Sequence, residues 1–387
     1  MRIILFAQSW RCRSRRGAGL WIAALLSLLA PLPAAAAAGS SGAVVFMYHR
    51  FGETAYPATN VRLEQFDAHL DHLAAAGYRV WPLARILEHL RERRPIPDRT
   101  VALTVDDAYL SVYREAWPRL KRRGWPLTVF VSTDAVDQRL PAFMSWVQMR
   151  ELQRDGVAFA NHSASHDSLI LRRAGEDATA WRARVRADLA RAQQRLTEEL
   201  GAAPLLFAYP YGEYDEPLAE LVRELGYTAF GQHSGAIGPL SDARALPRFP
   251  MAEAYAGPAD FRAKAASLAL PVRAVEPWDP RVEGAAPPRM QVTLEAGDAR
   301  LSALRCFDQH GETIEVTWIE QGRETAVFTA RAGRDLPPGR SRYNCTAPST
   351  AQPDRYYWFS HPWIRPAPAS EPPSAPAARA GSRRAPP

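Results

Sequence analysis

Two adjacent carboxylates follow a run of apolar residues, since Asp106 and Asp107 come directly after Val101–Val105. In a parallel α/β sheet, catalytic and binding residues gather where the strands end. Adjacent side chains at such a position point in different directions, so one carboxylate can bind a metal ion while the other stays free as a base. The alternative is that one aspartate caps the following helix and the other is solvated.

Two histidines follow a second short apolar segment, Ala158–Ala160. His162 and His166 have the i, i+4 spacing that places both imidazoles on one ion if the segment is helical. Combined with a free carboxylate, they would form a set of two histidines and one carboxylate with open positions, as expected for a hydrolytic Zn²⁺ or a related divalent ion. Two surface histidines without a ligand are the alternative interpretation.

A third apolar segment ends in the turn Pro210-Tyr211-Gly212. Glycine at such a turn lets the backbone approach a ligand closely. An exposed backbone N–H there can stabilise an oxyanion. A turn without a chemical role remains the alternative.

These polar positions depend on the elements that carry them. From Ala43 to about Leu270, short β-branched or aromatic segments alternate with longer amphipathic ones, which predicts an α/β domain with a mostly parallel sheet, assigned to residues 39–271. Glycines stand where C-terminal helix caps belong, at Gly77, Gly201 and Gly226. The predicted strands are Val44–Tyr48, Val101–Val105, Leu127–Val131, Ala158–Ala160, Leu205–Tyr209 and Thr228–Gly231, and the predicted helices are Leu63–Ala76, Ala183–Leu200 and Pro217–Leu225.

The C-terminal third changes character. A proline-rich, aperiodic stretch over 272–288 predicts a linker, and the short alternating segments of 289–364 predict a small all-β, sandwich-like module. Cys306 and Cys345 are the two cysteines beyond the N-terminal leader, so we expect them to form a disulfide inside this module. Residues 365–387 consist mainly of Pro, Ala, Ser and Arg, and we expect them to be disordered.

Residues 1–38 have the order of a secretory signal peptide: arginines, a short apolar run and small residues at the end. We therefore expect a periplasmic or secreted mature chain without a transmembrane anchor. Five positive charges would leave with this leader, which reduces the formal net charge of +7 to about +2. A nucleic-acid partner is not expected from so balanced a chain.

The three polar segments, in this order and each after a strand, resemble the polysaccharide deacetylase family, also called carbohydrate esterase family four or the nodulation-type deacetylase domain. Within that family the chain is most similar to the biofilm poly-N-acetylglucosamine deacetylases, which also begin with a Tyr-His strand end. The resemblance implies a distorted (β/α)7-type barrel followed here by the small all-β module. It covers roughly Val44–Pro250 and includes Met47–Arg50, Phe143–Trp146 and Leu246–Pro250.

The resemblance also implies roles for individual residues. Asp106 would be the general base, and Tyr211, after Pro210, would offer its backbone N–H to the oxyanion. The metal ion, with Zn²⁺ the first candidate, would be bound by Asp107, His162 and His166. The partner would be an acetylated polysaccharide, while the oligomeric state is not predicted.

The chain departs from the family pattern at two places. Ala208 stands where many members carry an arginine that orients the base, and Arg248 is a candidate to replace it. No Leu-x-His motif follows Gly226, so the histidine that usually serves as the acid in this family is missing at its usual place. His49 and His233 are the candidates for that acid, with His49 preferred.

The sequence constrains the substrate contacts and the identity of the substrate less than it constrains the metal ligands. Tyr109, Trp146, Pro210 and Arg248 form the predicted substrate-binding set, and Tyr214 is a further aromatic candidate for the groove. The aromatic residues of the C-terminal module fit either a carbohydrate-binding face or a core that docks on the catalytic domain. Peptidoglycan deacetylation, ester hydrolysis on another glycan and glycan binding without catalysis remain alternatives to deacetylation of an amino-sugar polymer.

Overall fold

A computed structural model describes residues 42–295 and 297–366 of the chain. The predicted signal peptide, residues 1–38, and nearly all of the predicted tail lie outside the described residues. Within the described part, none of the helices combines the length and the apolar character that crossing a bilayer requires.

The first sheet is mixed and contains nine strands, most of them parallel. Its main strand order is β10-β1-β5-β6-β7-β8-β9; β11 pairs with β1, and β4 pairs with β5. From β1 to β9 this order follows the chain, and the sheet curls into an open half-barrel. The strands are β1 (Ala43–Tyr48), β4 (Arg79–Val80), β5 (Thr100–Val105), β6 (Thr128–Val131), β7 (Ala158–Asn161), β8 (Leu206–Ala208), β9 (Thr228–Phe230), β10 (Ala236–Ile237) and β11 (Phe249–Pro250), and a separate pair is formed by β2 (Arg50–Phe51) and β3 (Asn60–Val61).

Helices and short helical turns connect these strands. The π-helical turn Val112–Ala116 precedes α3, and 3₁₀ turns cover Pro210–Gly212, Glu253–Tyr255 and Leu301–Ala303. The α-helices are α1 (Leu63–Ala75), α2 (Leu83–Arg91), α3 (Trp117–Lys121), α4 (Thr133–Asp137), α5 (Trp146–Arg154), α6 (Ala178–Leu200), α7 (Glu216–Glu224) and α8 (Pro258–Ala265).

Burial on both faces explains why the central strands are continuous apolar runs. Every residue of β1 and β5 is buried, as expected for parallel strands covered on both sides. The predicted α/β class and barrel type are confirmed. Gly77, Gly201 and Gly226 have positive φ angles of 70°, 82° and 85°, as their predicted capping positions require.

The second sheet contains eight strands in the order β12-β19-β18-β15-β16-β17-β14-β13, all but one pair of them antiparallel to their neighbours. This sheet is consistent with the predicted all-β module. Its strands are β12 (Leu268–Ala269), β13 (Val272–Glu276), β14 (Met290–Glu295), β15 (Arg305–Phe307), β16 (Thr313–Gln321), β17 (Thr325–Arg331), β18 (Gly339–Pro348) and β19 (Tyr356–Arg365).

The predicted linker over 272–288 differs from the structure at its beginning. Val272–Glu276 forms β13, which pairs with β14, and the preceding Leu268–Ala269 pairs with β19. The second sheet therefore starts before the predicted boundary at residue 271. Backbone hydrogen bonding across the sheet fixes these short segments, and their local composition does not reveal it.

The aromatic residues of the second sheet serve its core and its contact with the first sheet. Trp363 is fully buried and packs edge to face on Tyr343. Trp358 packs on Phe249 of β11, with ring centroids 5.2 Å apart. These contacts match the interpretation of an aromatic core docked on the catalytic domain.

Cys306 and Cys345 form the expected disulfide, and both are fully buried. They lie opposite each other on β15 and β18. Removing the bond is expected to lower the free energy of unfolding of this module by about 2–5 kcal/mol, because the bond restricts the unfolded chain. Thermal unfolding with and without reductant measures this effect, and the metal content should not change.

The matched control for this prediction is the double variant Cys306→Ala, Cys345→Ala. Its unfolding should not respond to reductant, whereas that of the wild-type chain should. Two free thiols in the unfolded, unreduced mature chain would contradict the prediction.

Candidate metal centre and catalytic groove

The candidate residues lie at one edge of the first sheet, because the parallel strands that precede them all end there. Two of these strands, β5 and β7, precede the metal candidates and the predicted base, and the others precede the remaining candidates. His49 follows β1, Asp106 and Asp107 follow β5, His162 follows β7, Tyr211 follows β8, and His233 follows β9.

Asp107 and the two histidines form a compact three-residue cluster. Asp107 Oδ1 lies 3.3 Å from His162 Nε2 and 3.0 Å from His166 Nε2. One potential ligand atom from each residue lies within 4.8 Å of the others. Each of these distances fits donors that converge on one ion.

The chemistry of these atoms also fits a metal ion. Asp107 Oδ1 and His162 Nε2 are buried and make no hydrogen bond of acceptable geometry within the described residues. His162 Nδ1 lies 2.7 Å from the Ala208 carbonyl and donates its proton to that oxygen, which leaves Nε2 as the metal-facing nitrogen. The donor set therefore suits a divalent ion with open coordination positions.

The Asp107 carboxyl is held in its charged form. Burial by itself raises its pKa, but the close approach of the His162 and His166 imidazoles outweighs burial and holds the pKa well below its usual value. A ligand carboxylate must be deprotonated, so this environment prepares it for a cation.

The two histidines converge without a helix. Ser163 and His166 have φ angles of 64° and 56°, so the segment turns through the left-handed region. The Asn161 side chain accepts from the Ser163 N–H at 2.8 Å, and Asp188 accepts from the N–H groups of Ala164 and Ser165. These side-chain contacts replace the helical turn that the i, i+4 spacing presupposes.

Arg248 forms a buried ion pair with Asp106 through two hydrogen bonds. Its two terminal nitrogens donate to the carboxylate, NH1 to Oδ1 at 2.7 Å and NH2 to Oδ2 at 2.8 Å, and both side chains are fully buried. Burial raises the pKa of Asp106, but the charges of Arg248 and His162 and the hydrogen bonds from Arg248 together outweigh burial, and the pKa is lowered. Arg248 therefore supplies the guanidinium that Ala208 lacks. Arg248 does not line the groove over the metal cluster, so the structure does not show the predicted contact between Arg248 and the substrate.

The two acid candidates have different surroundings. His49 Nε2 lies 4.0 Å from Asp106 Oδ2, and His49 lines the groove. Burial lowers the pKa of His49, while the charges of Asp106 and Asp107 oppose that lowering. His233 also reaches the groove, but burial and the Arg248 charge lower its pKa to about 4. Proximity to Asp106, the predicted base, therefore favours His49 as the predicted acid.

A groove of about 560 Å³ opens over the cluster. Tyr109 lines it, and the Arg50 guanidinium stacks 3.5 Å from the Tyr109 ring centroid. Tyr211 lines it as well, with its ring edge-to-face on His166 at a centroid distance of 4.7 Å. Gly212 has a φ of 71°, and a Cβ there would lie 2.6 Å from the Gln232 side chain, so this turn requires glycine.

Three predicted or suggested substrate contacts lie elsewhere. Trp146 begins α5, donates from its indole N–H to Asp137 at 2.7 Å, and lines a separate depression. Pro210 is buried at the start of its turn and does not line the groove. Tyr214 is 3% exposed and packs on Trp278. Trp146 and Pro210 begin helical elements and Tyr214 packs in the core, and the sequence pattern does not separate such roles from ligand contacts.

The groove also contains residues that the sequence did not single out. Arg340 and Arg342 of β18 line it, as does the half-exposed Tyr255. The alternating pattern of β18 shows which of its residues face outward, but it does not show that this strand reaches the metal cluster. Only the docking of the second sheet on the first brings them there.

Comparison with known proteins finds matches to the first sheet and its helices. Residues 93–230 match the family model described as polysaccharide deacetylase. The chain is 28% identical over 207 residues to the poly-beta-1,6-N-acetyl-D-glucosamine N-deacetylase of Escherichia coli (strain K12), a match that covers 44% of this chain and 30% of the relative. It is 23% identical over 194 residues to the protein of the same name from Staphylococcus aureus (strain MRSA252), covering 49% and 67%.

A solved structure agrees with these matches. The structure of IcaB from Ammonifex degensii is 28% identical and has a TM-score of 0.52, covering 59% of this chain and 98% of that chain. The Asp106-Asp107 pair, both histidines and the Pro210-Tyr211-Gly212 turn all fall within residues 93–230. Residues 93–230 are therefore similar to the polysaccharide deacetylase family.

Proposed function

We propose that this protein is a metal-dependent hydrolase that removes N-acetyl groups from an amino-sugar polysaccharide outside the cytoplasm. The observation that carries the proposal is the cluster of Asp107, His162 and His166 beside Asp106, a carboxylate that is not part of the ligand set. Binding a glycan alone does not require a second carboxylate next to a metal site. The similarity of residues 93–230 to the polysaccharide deacetylase family supports the same activity.

The metal ion, with Zn²⁺ the first candidate, would be held by Asp107, His162 and His166. When bound, it supplies Lewis-acid polarisation of the acetyl carbonyl and lowers the pKa of a water molecule. The orientation of its ligands comes from this chain, through the Ala208 carbonyl on His162 and the strained turn that carries His166.

The remaining steps use residues of the chain. Asp106, kept ionised by Arg248, accepts a proton from the attacking water. The backbone N–H of Tyr211 donates to the oxyanion that develops on the acetyl oxygen. His49 donates a proton to the departing amine, the C–N bond breaks, and acetate and the free amine are released.

Two observations favour an alternative assignment in which His49 is the base. Asp106 is fully buried with both oxygens bound to Arg248, whereas His49 faces the groove. Burial also lowers the pKa of His49, which favours the neutral imidazole that a base requires. In that assignment Asp106 would orient His49. Assaying His49→Ala on an amide and on an activated ester separates the two assignments.

The substrate proposal rests on the named relatives. The E. coli and S. aureus proteins are deacetylases of poly-beta-1,6-N-acetyl-D-glucosamine, so this polymer is the first candidate. The chain covers only 30% of the E. coli relative, so the rest of that protein contributes nothing to this inference. Peptidoglycan and other acetylated glycans stay as alternatives, and the extracytoplasmic location rests on the predicted leader.

Acetate release tests the function directly. The purified mature chain is incubated with β-1,6 and β-1,4 N-acetylglucosamine polymers and with peptidoglycan, before and after removal and return of metal. Metal-dependent release from at least one amino-sugar polymer is expected, with the β-1,6 polymer preferred. Tight glycan binding and bound metal without acetate release would instead support a non-catalytic glycan-binding protein.

A further inference from the structure

The second sheet forms one wall of the catalytic groove. Arg340, Ser341 and Arg342 of β18 line the groove together with residues of the first sheet. Pro362 and Ile364 of the neighbouring strand β19 do so as well. This wall lies outside residues 93–230, the part of the chain that matches the family model.

Arg340 bonds directly to the turn that carries the proposed oxyanion donor. Its NH1 donates a hydrogen bond to the Tyr211 carbonyl. Its Nε lies 3.9 Å from Glu213 Oε1, and its guanidinium lies 6.0 Å from the centroid of the Tyr211 ring. One side chain of the second sheet therefore contacts the turn at its carbonyl, at its ring and at the following acid.

The conformation of this turn requires support. Tyr211 has φ 59° and ψ 1°, a left-handed conformation that is unfavourable for a residue with a side chain. Such a conformation persists only when surrounding contacts fix it. A hydrogen bond to the Tyr211 carbonyl restricts ψ at Tyr211. A change in the backbone conformation of Tyr211 would redirect its N–H, the proposed oxyanion donor.

The same contacts connect the turn to the metal centre. Glu213, which Arg340 approaches, accepts a hydrogen bond from Ser168 Oγ at 2.5 Å. Ser168 lies two residues after His166, and the Tyr211 ring contacts the His166 ring. Arg340 thus belongs to a chain of contacts that includes the oxyanion turn and the segment of a metal ligand.

We propose that Arg340 is a positioning residue for deacetylation, and that the second sheet completes the oxyanion site through it. The inference rests on the proposed function and on Tyr211 as the oxyanion donor. It assigns to the second sheet a part in the chemical step, beyond docking or carbohydrate binding. Because Arg340 acts through the Tyr211 turn, its effect should fall on turnover and leave substrate affinity largely unchanged.

The test compares Arg340→Ala, Arg340→Lys and a matched control, Arg331→Ala, in the full mature chain with its metal. Arg331 lies on β17 of the same sheet and also donates to a backbone carbonyl, that of Pro287 at 3.0 Å, but it does not line the groove. Acetate release gives kcat and KM, and metal content and the unfolding temperature are measured for each variant.

Arg340→Ala should lower kcat about 10- to 100-fold, since small displacements of positioned groups cost up to about 10² in rate. KM should stay within about twofold, with metal content and unfolding temperature near those of Arg331→Ala. Arg340→Lys and added guanidinium should each restore part of the kcat of the alanine variant.

Three results would overturn the inference. They are an unchanged kcat in Arg340→Ala, a rise in KM alone, or a loss of kcat that follows lost metal or lost folding and is not rescued by lysine or guanidinium. If the wild-type chain releases no acetate from any glycan, the proposed function fails first, so the two failures are distinguishable.

Discussion

Asp107→Ala is expected to lose both the bound metal and acetate release, whereas Asp106→Asn should retain the metal and lose about 10²–10⁴ in rate. The difference follows from the geometry. Asp107 Oδ1 is the atom that faces both imidazoles, while the Asp106 oxygens face Arg248. Removing Asp107 takes a ligand from a set of three, but removing the Asp106 charge leaves that set intact.

The measurement is metal content by elemental analysis beside kcat for each variant. Asp106→Asn also leaves the buried Arg248 without its counter-charge, and breaking a buried pair costs about 3–5 kcal/mol, so the free energy of unfolding must be measured too. Asp155→Asn is the control, because Asp155 is paired with the exposed Lys121 and neither residue lines the groove. Equal metal loss in Asp106→Asn and Asp107→Ala would contradict the assigned roles.

His49→Ala is expected to lose about 10²–10⁴ in rate on the N-acetyl substrate and to be largely spared on an activated acetate ester. The leaving group of the amide is an amine, which needs a proton to depart. The leaving group of an activated ester departs as an anion and needs none. His233→Ala, assayed in parallel, should show a smaller loss on the amide. His233 makes no ion pair with Asp106 within the described residues, and its pKa is lowered to about 4 by burial and Arg248.

The pattern of losses separates the possible roles of His49. If His49→Ala retains its metal but loses both the amide and the ester reactions, His49 is the base and Asp106 orients it. If it loses both reactions together with the metal, His49 supports the metal site, and His233 becomes the better candidate for the donor. Metal content and ester hydrolysis therefore have to be reported for the same preparations.

The sequence predicts the edge of the sheet where the site lies and most of its chemical groups. Val101–Val105 and Ala158–Ala160 are largely apolar because β5 is buried throughout and β7 is buried after its first residue, and the polar residues directly after them lie at the strand ends. This pattern, together with the family resemblance, predicts Asp107, His162 and His166 as ligands, and the structure brings one potential ligand atom of each within 4.8 Å of the others. A short continuous apolar run is typical of a buried strand, so the polar groups at its end can be located from sequence.

The contacts that depend on distant parts of the chain could not be predicted in the same way. Arg248 was a candidate partner of Asp106 only by analogy, because 142 residues separate the two. Arg340 lies 129 residues from Tyr211 and beyond the region of resemblance. Trp146 shows the opposite error, since its aromatic ring suggested a sugar contact while its indole N–H is bonded to Asp137.

The position of Arg248 changes how inactive members of such a family should be recognised. An alignment that demands arginine in the column of Ala208 would set this chain aside as degenerate, although the guanidinium is present and enters the same carboxylate from the segment before β11. In this chain the positive charge beside Asp106 comes from a stretch of polypeptide 142 residues further along the sequence. A search for inactive relatives of this chain should therefore ask whether any arginine pairs with the residue equivalent to Asp106, and not only whether arginine stands at the position of Ala208.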